Sequence, residues 1–425
     1  MTLALGIDIG TSGVRTAVLD QDGALISEAR AAHLPQDPDR IDAEKWWQAV
    51  RGCIEAQTAN LRAAGHDPKD ITDVAVDGTS GSMVLTDAEL KPVSRALMYN
   101  SKGFEPEAQR IAQHAPEVHI TRGSNSALGR AMRLLSEAGG TAAHLLHQAD
   151  FITAKLTGRG GHSDHNNALK TGFDPEASDW PAWVAEVVEP DLLPQVHAVG
   201  APMGALDAGV AKELGLSPET TVHAGTTDSI AAFLACAPLD AGVAVTSLGS
   251  TLAVKMLSAQ RIDDPAIGLY SHRLGDVWLV GGASNTGGAV LAQHFDGEEI
   301  AQLSAMMNPD VPTGLDYYPL KEPGERFPVN DPTLAPRLSP RPESDVLFLQ
   351  GMFEGIARIE AACYAHMQAR GADAPKRIYS AGGGAQNPVF TDIRASHLGQ
   401  RPLQAAHSEA AVGAARLAQS ARAPA

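Results

Sequence analysis

Hydrophobic and polar positions alternate from the start of the chain. Leu3 to Ile9 reads as a buried strand, Gly10-Thr11-Ser12-Gly13 as a tight turn, and Val14 to Leu19 as a second strand. Gln21-Asp22-Gly23 predicts another turn and Ala24 to Glu28 a third strand, which makes a meander. The period then changes. Asp42 opens a helix over Ala43 to Ala64, with Trp46, Trp47, Val50, Ile54 and Leu61 on its apolar side. Ile71 to Val76 is a short buried strand running into Asp77-Gly78-Thr79-Ser80-Gly81-Ser82, and Leu128 to Ala138 and Ala142 to Leu156 predict two further helices.

Near Gly242 the pattern restarts. Gly242 to Val254 again reads strand, Gly-hydroxyl turn, strand, and it matches the opening when Asp8 is set against Ser247. A strand over Asp276 to Val280, a helix over Met352 to Met367 and a strand over Arg377 to Ser380 follow, ahead of Gly382-Gly383-Gly384. One repeat at about half the chain length predicts a duplicated α/β domain with a cleft between halves, since a solenoid needs three or more short repeats. Prolines crowd the stretch from Pro309 to Pro342, but Tyr317, Tyr318, Leu320 and Phe327 within it predict an ordered, packed loop.

Composition sharpens this picture. A chain of 425 residues exceeds one core, because single cores stop growing near ~250–300 residues. With 44% hydrophobic and 20% charged residues it is globular. A formal net charge of −17 argues against a nucleic-acid partner, which would want a basic face. It leaves open a nucleotide bound with a cation. No apolar run reaches the ~18 residues of a membrane span, and no basic region precedes the apolar opening, so neither a membrane partner nor a secretory signal is expected. Cys53, Cys236 and Cys363 show no paired spacing, which predicts buried free thiols in a reducing cytoplasm.

Four turns carry candidate chemistry. Asp8 closes a buried strand beside Thr11 and Ser12, where glycines let backbone N–H groups approach an anion. A carboxylate there repels phosphate unless a cation intervenes, so the corner reads as a phosphate-and-magnesium site. His223-Ala224-Gly225-Thr226-Thr227-Asp228 is a second corner, in which Asp228 can both cap a helix and act as a base. Gly249-Ser250-Thr251 is a third. Gly382-Gly383-Gly384-Ala385-Gln386-Asn387 is a fourth, and its glycines predict close approach of another group, such as a base and ribose. The chain lacks a P-loop and a dinucleotide fingerprint. Gly160-Gly161-His162-Ser163-Asp164-His165 reads as a surface loop, and Ser80 and Ser82 lack the elbow of a hydrolase nucleophile.

Taken together, these segments resemble the FGGY carbohydrate kinases of the actin, hexokinase and sugar-kinase superfamily. The resemblance rests on Gly6-Ile7-Asp8-Ile9-Gly10-Thr11-Ser12, Ala224-Gly225-Thr226-Thr227-Asp228, Ser247-Leu248-Gly249-Ser250-Thr251 and Gly382-Gly383-Gly384-Ala385. It also takes in Glu354-Gly355-Ile356-Ala357 and the closing helix from Glu409. It implies two RNase H-like (actin-like ATPase) α/β domains with a central cleft. Residues 1–236 would hold the sugar and the catalytic base, with a C-terminal helix over 409–425 packing back on them, and residues 237–408 would bind the nucleotide.

By that resemblance Asp228 is the general base, and Asp8 holds magnesium through water and touches the sugar. Thr11 and Ser12 lie along the phosphates. Gly249, Ser250 and Thr251 cradle them from the second domain. Gly383, Gly384 and Asn387 line the adenosine pocket. Ser80 and Lys170 line the sugar pocket. ATP and Mg²⁺ are the implied cofactors, a small sugar the partner, and the cytoplasm the location, with the oligomeric state open. Where many members carry a Lys-x-x-Trp element, this chain has Ala127-Leu128-Gly129-Arg130-Ala131-Met132-Arg133-Leu134, and where xylulokinases place Gln-Met-His after the second buried strand it has Asp77-Gly78-Thr79-Ser80-Gly81-Ser82. With its short length, this resembles the short-form D-ribulose kinases. D-ribulose is therefore the expected substrate, with xylulose, glycerol or another polyol as alternatives and a non-catalytic actin-like switch as a further one.

Overall fold

The alternation of the first thirty residues folds into the expected meander, and a computed structural model describes residues 2–37 and 40–420. The chain forms two units, Met1–Ala235 with Glu409–Ala425, and Cys236–Ser408. Residues 421–425 of the expected closing helix lie outside the described residues.

Unit 1 carries β1 (Leu3–Ile9), β2 (Gly13–Leu19), β3 (Leu25–Ala32), α1 (Glu44–Ala63), β4 (Ile71–Gly78), β5 (Met83–Thr86), α2 (Glu105–His114), α3 (Ala127–Ala138), β6 (His144–His147), α4 (Gln148–Thr157), β7 (His162–Asp164), α5 (His165–Ala168), β8 (Gln195–His197), β9 (Pro202–Ala205), α6 (Ala208–Leu214), β10 (Thr221–Thr227) and α7 (Asp228–Cys236). Unit 2 carries β11 (Val243–Leu248), β12 (Leu252–Ser258), β13 (Tyr270–Leu274), β14 (Val277–Ser284), α8 (Gly288–Leu291), α9 (Gly297–Ala305), α10 (Asp345–Gln368), β15 (Arg377–Ala381), α11 (Pro388–Leu398) and β16 (Leu403–Gln404). The chain then returns to unit 1 as α12 (Ala410–Ser420).

Each unit is built on one mixed sheet. Their orders are β3-β2-β1-β4-β10-β9 and β13-β14-β12-β11-β15-β16. Around β1, β2 pairs antiparallel and β4 parallel, and around β11, β12 and β15 do the same. Asp8 lies opposite Asp77, and Ser247 lies opposite Ala381. The duplication read from the sequence is therefore a duplication of sheet topology.

β1 is buried at all seven positions because both faces are covered. Leu3, Leu5, Ile7 and Ile9 join Trp46, Val50 and Ile54 of α1 in one core. On the other face Ala4 packs with Ala75 and Ala418. A Cβ on Gly6 would land on the Ala411 carbonyl oxygen, so only glycine lets α12 lie this close. Unit 2 has its own core, in which Met352, Phe353 and Ile356 of α10 pack on Val254 and Met256. The proline-dense stretch is ordered and packed, with Tyr317, Leu320 and Phe327 at 1% exposure or less.

Two expectations are corrected. Ala142 to Leu156 is not one helix: His144–His147 pairs antiparallel with Met83–Thr86, and α4 begins only at Gln148. A long-range strand partner outweighs local helical spacing there, and the Asp150 carboxylate accepts from the His147 N–H at 3.2 Å where the helix starts. The segment around His162 is not a surface loop either. It is a strand paired with β8, in which His162 Nδ1 lies 3.0 Å from His197 Nε2, and His165 is buried against Phe173. Among the described residues no helix is long and apolar enough to cross a membrane.

Candidate active site

The parallel strands β1, β4 and β10 of unit 1 end on one edge, at Ile9, Gly78 and Thr227. Ends of parallel strands are where α/β proteins place ligands, because helices start there and leave backbone donors free. The register sets Asp8 beside Asp77 and Asp77 beside Thr226. Asp228 follows as the first residue of α7, with its carboxylate accepting from the Ser229 N–H at 2.6 Å. Gly225-Thr226-Thr227, expected as a turn, is instead the end of strand β10, whose register against β4 shifts between His223 and Thr226, and glycine is needed there because a Cβ on Gly225 would fall on the Val76 carbonyl oxygen.

Three carboxyl groups thus share one edge, and the third is Asp77, which the sequence reading left unassigned. It is 0% exposed, neither of its oxygens accepts from an N–H or O–H of the protein, and its carboxyl donates to the neighbouring Asp8. Burial, then the charges of Asp8 and Asp228, hold its carboxyl well above the usual carboxylate range. Burial also raises Asp8, against the opposing pull of Asp77 and of Arg15, whose guanidinium lies 3.4 Å from Asp8 Oδ2. Arg15 reaches Glu409 at 3.2 Å as well, which ties the corner to the returning chain. A signal for Asp77 was present in the sequence: like Asp8, it closes a buried strand just ahead of a glycine turn.

The other expected residues of unit 1 fall around this edge. Thr11 and Ser12 are exposed at the tip of the hairpin, which is closed by Gly10 N–H to Gly13 O at 2.9 Å and braced by His33 Nε2 donating to Gly10 O at 2.8 Å. Ser80 is partly exposed in a loop held from behind. Gln148 Oε1 accepts from the Thr79 N–H at 2.9 Å and its hydroxyl at 2.6 Å, and Arg130 donates to Gly81 O at 3.1 Å. Lys170 sits in a short turn over Leu169–Thr171. Its charge and that of Arg130 act on His147, which burial above all pushes down to about 3.

Unit 2 holds a cavity of about 720 Å³. Gly249, Ser250, Gly383, Gly384 and Asn387 line it, together with Ala301, Ser304, Phe353 and Phe390. Thr251 is exposed beside the Ser250 turn and is not among the lining residues. The triple glycine has a different reason from the one expected. A Cβ on Gly382 would meet the Leu248 carbonyl at 2.7 Å and one on Gly384 the Leu248 side chain at 2.9 Å, whereas Gly383 faces open space. Gly382 and Gly384 thus also admit the protein's own strand β11, while Gly383 and Gly384 both line the cavity.

Unit 1 thus carries a carboxyl-rich strand edge and unit 2 a cavity, each built on a mixed α/β sheet. Residues 3–132 match the N-terminal domain and residues 244–422 the C-terminal domain of the FGGY family of carbohydrate kinases, and the chain belongs to that family. It is 27% identical over 295 residues to a xylulose kinase of Streptomyces coelicolor, an alignment that takes in 65% of this chain and 59% of that kinase's length. It is 24% identical over 466 residues to a xylulose kinase of Staphylococcus epidermidis, covering 98% of this chain and 87% of that protein. The crystal structure of a xyloylose kinase from Brucella ovis superposes with a TM-score of 0.84 at 22% identity, over 99% of this chain and 90% of the other.

Proposed function

We propose that this protein transfers the terminal phosphoryl group of ATP to a hydroxyl of a small ketose, with xylulose in place of the D-ribulose expected from the sequence. The observation that carries the kinase reading is the convergence of Asp8, Asp77 and Asp228 on one strand edge of unit 1. Preference for xylulose is supported by the curated relatives, which are xylulose kinases. In this reading unit 1 holds the sugar and unit 2 the nucleotide.

Asp228 is the base. Its carboxylate removes the proton of the attacking hydroxyl, for which it must lie within about 3 Å in the productive complex. Ser80 and Lys170 face the sugar, and Asp8 grips it beside Asp228. Within unit 1 Thr11 and Ser12, and within unit 2 Gly249, Ser250 and Thr251, are each assigned to phosphate contacts, while Gly383, Gly384 and Asn387 border the adenosine. The donor set fits Mg²⁺, a hard cation that prefers oxygen, because Asp77 is a buried carboxyl lacking an N–H or hydroxyl donor beside Asp8. Among the described residues no three His, Cys, Asp or Glu side chains form a metal cage. Asp8 would therefore hold the ion with water and the nucleotide's own phosphates. When bound, the ion neutralises charge on the phosphates.

An assay of ADP release over xylulose, D-ribulose, other pentoses, glycerol and gluconate tests the proposal. Xylulose is expected to give the highest kcat/KM. A higher value for D-ribulose would restore the first expectation, and no sugar-dependent release with any of them would mark a non-catalytic switch.

A further inference from the structure

Given the assignment of Ser80 to the sugar in the proposed function, we infer that Arg130 is a positioning residue for the sugar site. Its guanidinium ties the loop over residues 79–82 to the loop at Tyr99, so that the sugar meets a loop already shaped for it. Arg130 lies on α3 and is 3% exposed. Its Nη1 donates to the Gly81 carbonyl at 3.1 Å, and its Nη2 donates to the carbonyls of Asn125, at 2.8 Å, and of Tyr99. These carbonyls belong to three separate connections, between β4 and β5, between β5 and α2, and between α2 and α3. The first two also touch directly. The Tyr99 N–H donates to Ser82 Oγ at 2.9 Å, and Ser82 Oγ lies 2.6 Å from Thr79 Oγ1. Ser80 therefore stands between two held residues, with Thr79 on Gln148 and Gly81 on Arg130.

Arginine suits this place for a physical reason. A planar fork with five donors can serve several carbonyls at once, whereas a lysine ammonium is a point donor. Burying the charge costs stability, and the carbonyl dipoles offset part of that cost. Gly81 completes the fit. Its φ is +82°, and a Cβ there would meet Arg130 Nη1 at 3.1 Å and the Ala127 Cβ at 3.2 Å. Space at residue 81 and the fork at residue 130 thus make one contact. When only a fraction of molecules holds the binding-competent loop, the apparent affinity for the ligand falls by that fraction. Bound sugar then orders the loop itself, so the loss falls on KM and not on kcat.

Arg130→Lys keeps the charge and loses the fork. In the ADP-release assay with xylulose, KM is expected to rise about tenfold or more, with kcat and ADP affinity within about twofold of the wild type. An unchanged KM would overturn the inference, and so would matching losses in kcat and ADP binding, which report general damage. Gly81→Ala crowds the same contact from the other side and should raise the same KM, so it carries the test alone should Arg130→Lys fail to fold. Together the two variants should do about as much as the larger single effect, since both break one contact. Multiplied effects would count against a shared role. Amide exchange of the sugar-free chain reads the loop without turnover. The N–H groups of Thr79, Ser82 and Tyr99 should exchange about tenfold faster in Arg130→Lys, and equal protection would overturn the inference. Turnover absent with every sugar in the wild type, with this exchange difference present, would sink the proposed activity and leave Arg130 as the anchor of the loop.

Discussion

Asp77 is costly where it stands. A buried carboxyl that accepts from no N–H or hydroxyl of the protein forfeits its hydration with little in return, and such groups survive mainly where function needs them. Asp77→Asn replaces the acid with an amide that can donate to Asp8. We expect a variant at least as stable as the wild type in urea but impaired in phosphoryl transfer. Full activity with lost stability would make Asp77 a packing residue. Asp228→Asn should lower kcat by about 10²–10⁴-fold while ADP binding stays unchanged, and a near-normal rate would remove Asp228 from the base role. His147 gives a pH signature. Its folded pKa of about 3 lies below the ordinary 6.5, so the unfolded chain takes up a proton first and stability is lost as pH falls from about 6.5 towards 3. Asp164, raised to about 6 mainly by burial, acts in the opposite sense over the upper part of that window. His147→Gln should therefore gain on the wild type by about 2 kcal/mol between pH 7 and pH 5, and parallel urea midpoints for the two proteins would contradict this.

Among elements, the Gly382–Gly384 turn depends on a buried network behind it. Arg394 of α11 donates to both carboxylate oxygens of Glu360 of α10, at 2.6 and 2.7 Å, and to Ser380 of β15 at 2.8 Å. Thr246 of β11 joins the same carboxylate and Tyr364. Both members of the ion pair are 0% exposed. One cluster thus fixes two strands and two helices just ahead of Gly382. Glu360→Gln leaves the guanidinium buried without its counter-charge and should cost about 3–5 kcal/mol in urea unfolding, with weaker ADP binding. A loss under about 1 kcal/mol would mean that the pair contributes little beyond packing. Helix spacing announced α10 from Met352 onward, but the helix starts at Asp345, where Ser344 caps it. Sequence reading misses this start because Val346-Leu347-Phe348-Leu349 is a continuous apolar run, which has no one-sided stripe to mark a helix.

For the whole molecule, the chain's return matters most. α12 belongs to unit 1 although it follows unit 2, and it seals the Ala4–Gly6 face of the first sheet. Deleting residues 409–425 should speed amide exchange in β1 and β4 and leave β11 and β15 protected. Unchanged protection of β1 would show that the sheet does not depend on this cover.

The sequence by itself determined the duplicated topology, most strands and the turns after Ile9, Leu248 and Ala381, because short-range alternation and glycine-hydroxyl turns report local backbone geometry directly, whereas Gly225-Thr226-Thr227, read as a turn, continues strand β10. Asp8, Asp228 and the glycines at 382–384 stand at strand ends or helix starts, where local pattern is legible. Only tertiary structure decided that His144–His147 is a strand, that Asn387 is spent on a cap and on Ser304, that Gly382 and Gly384 make room for Leu248, and that Asp77 is buried with only the Asp8 carboxyl as partner. All four depend on partners distant in the chain or on the space left between packed elements, and contacts of that kind leave no local period.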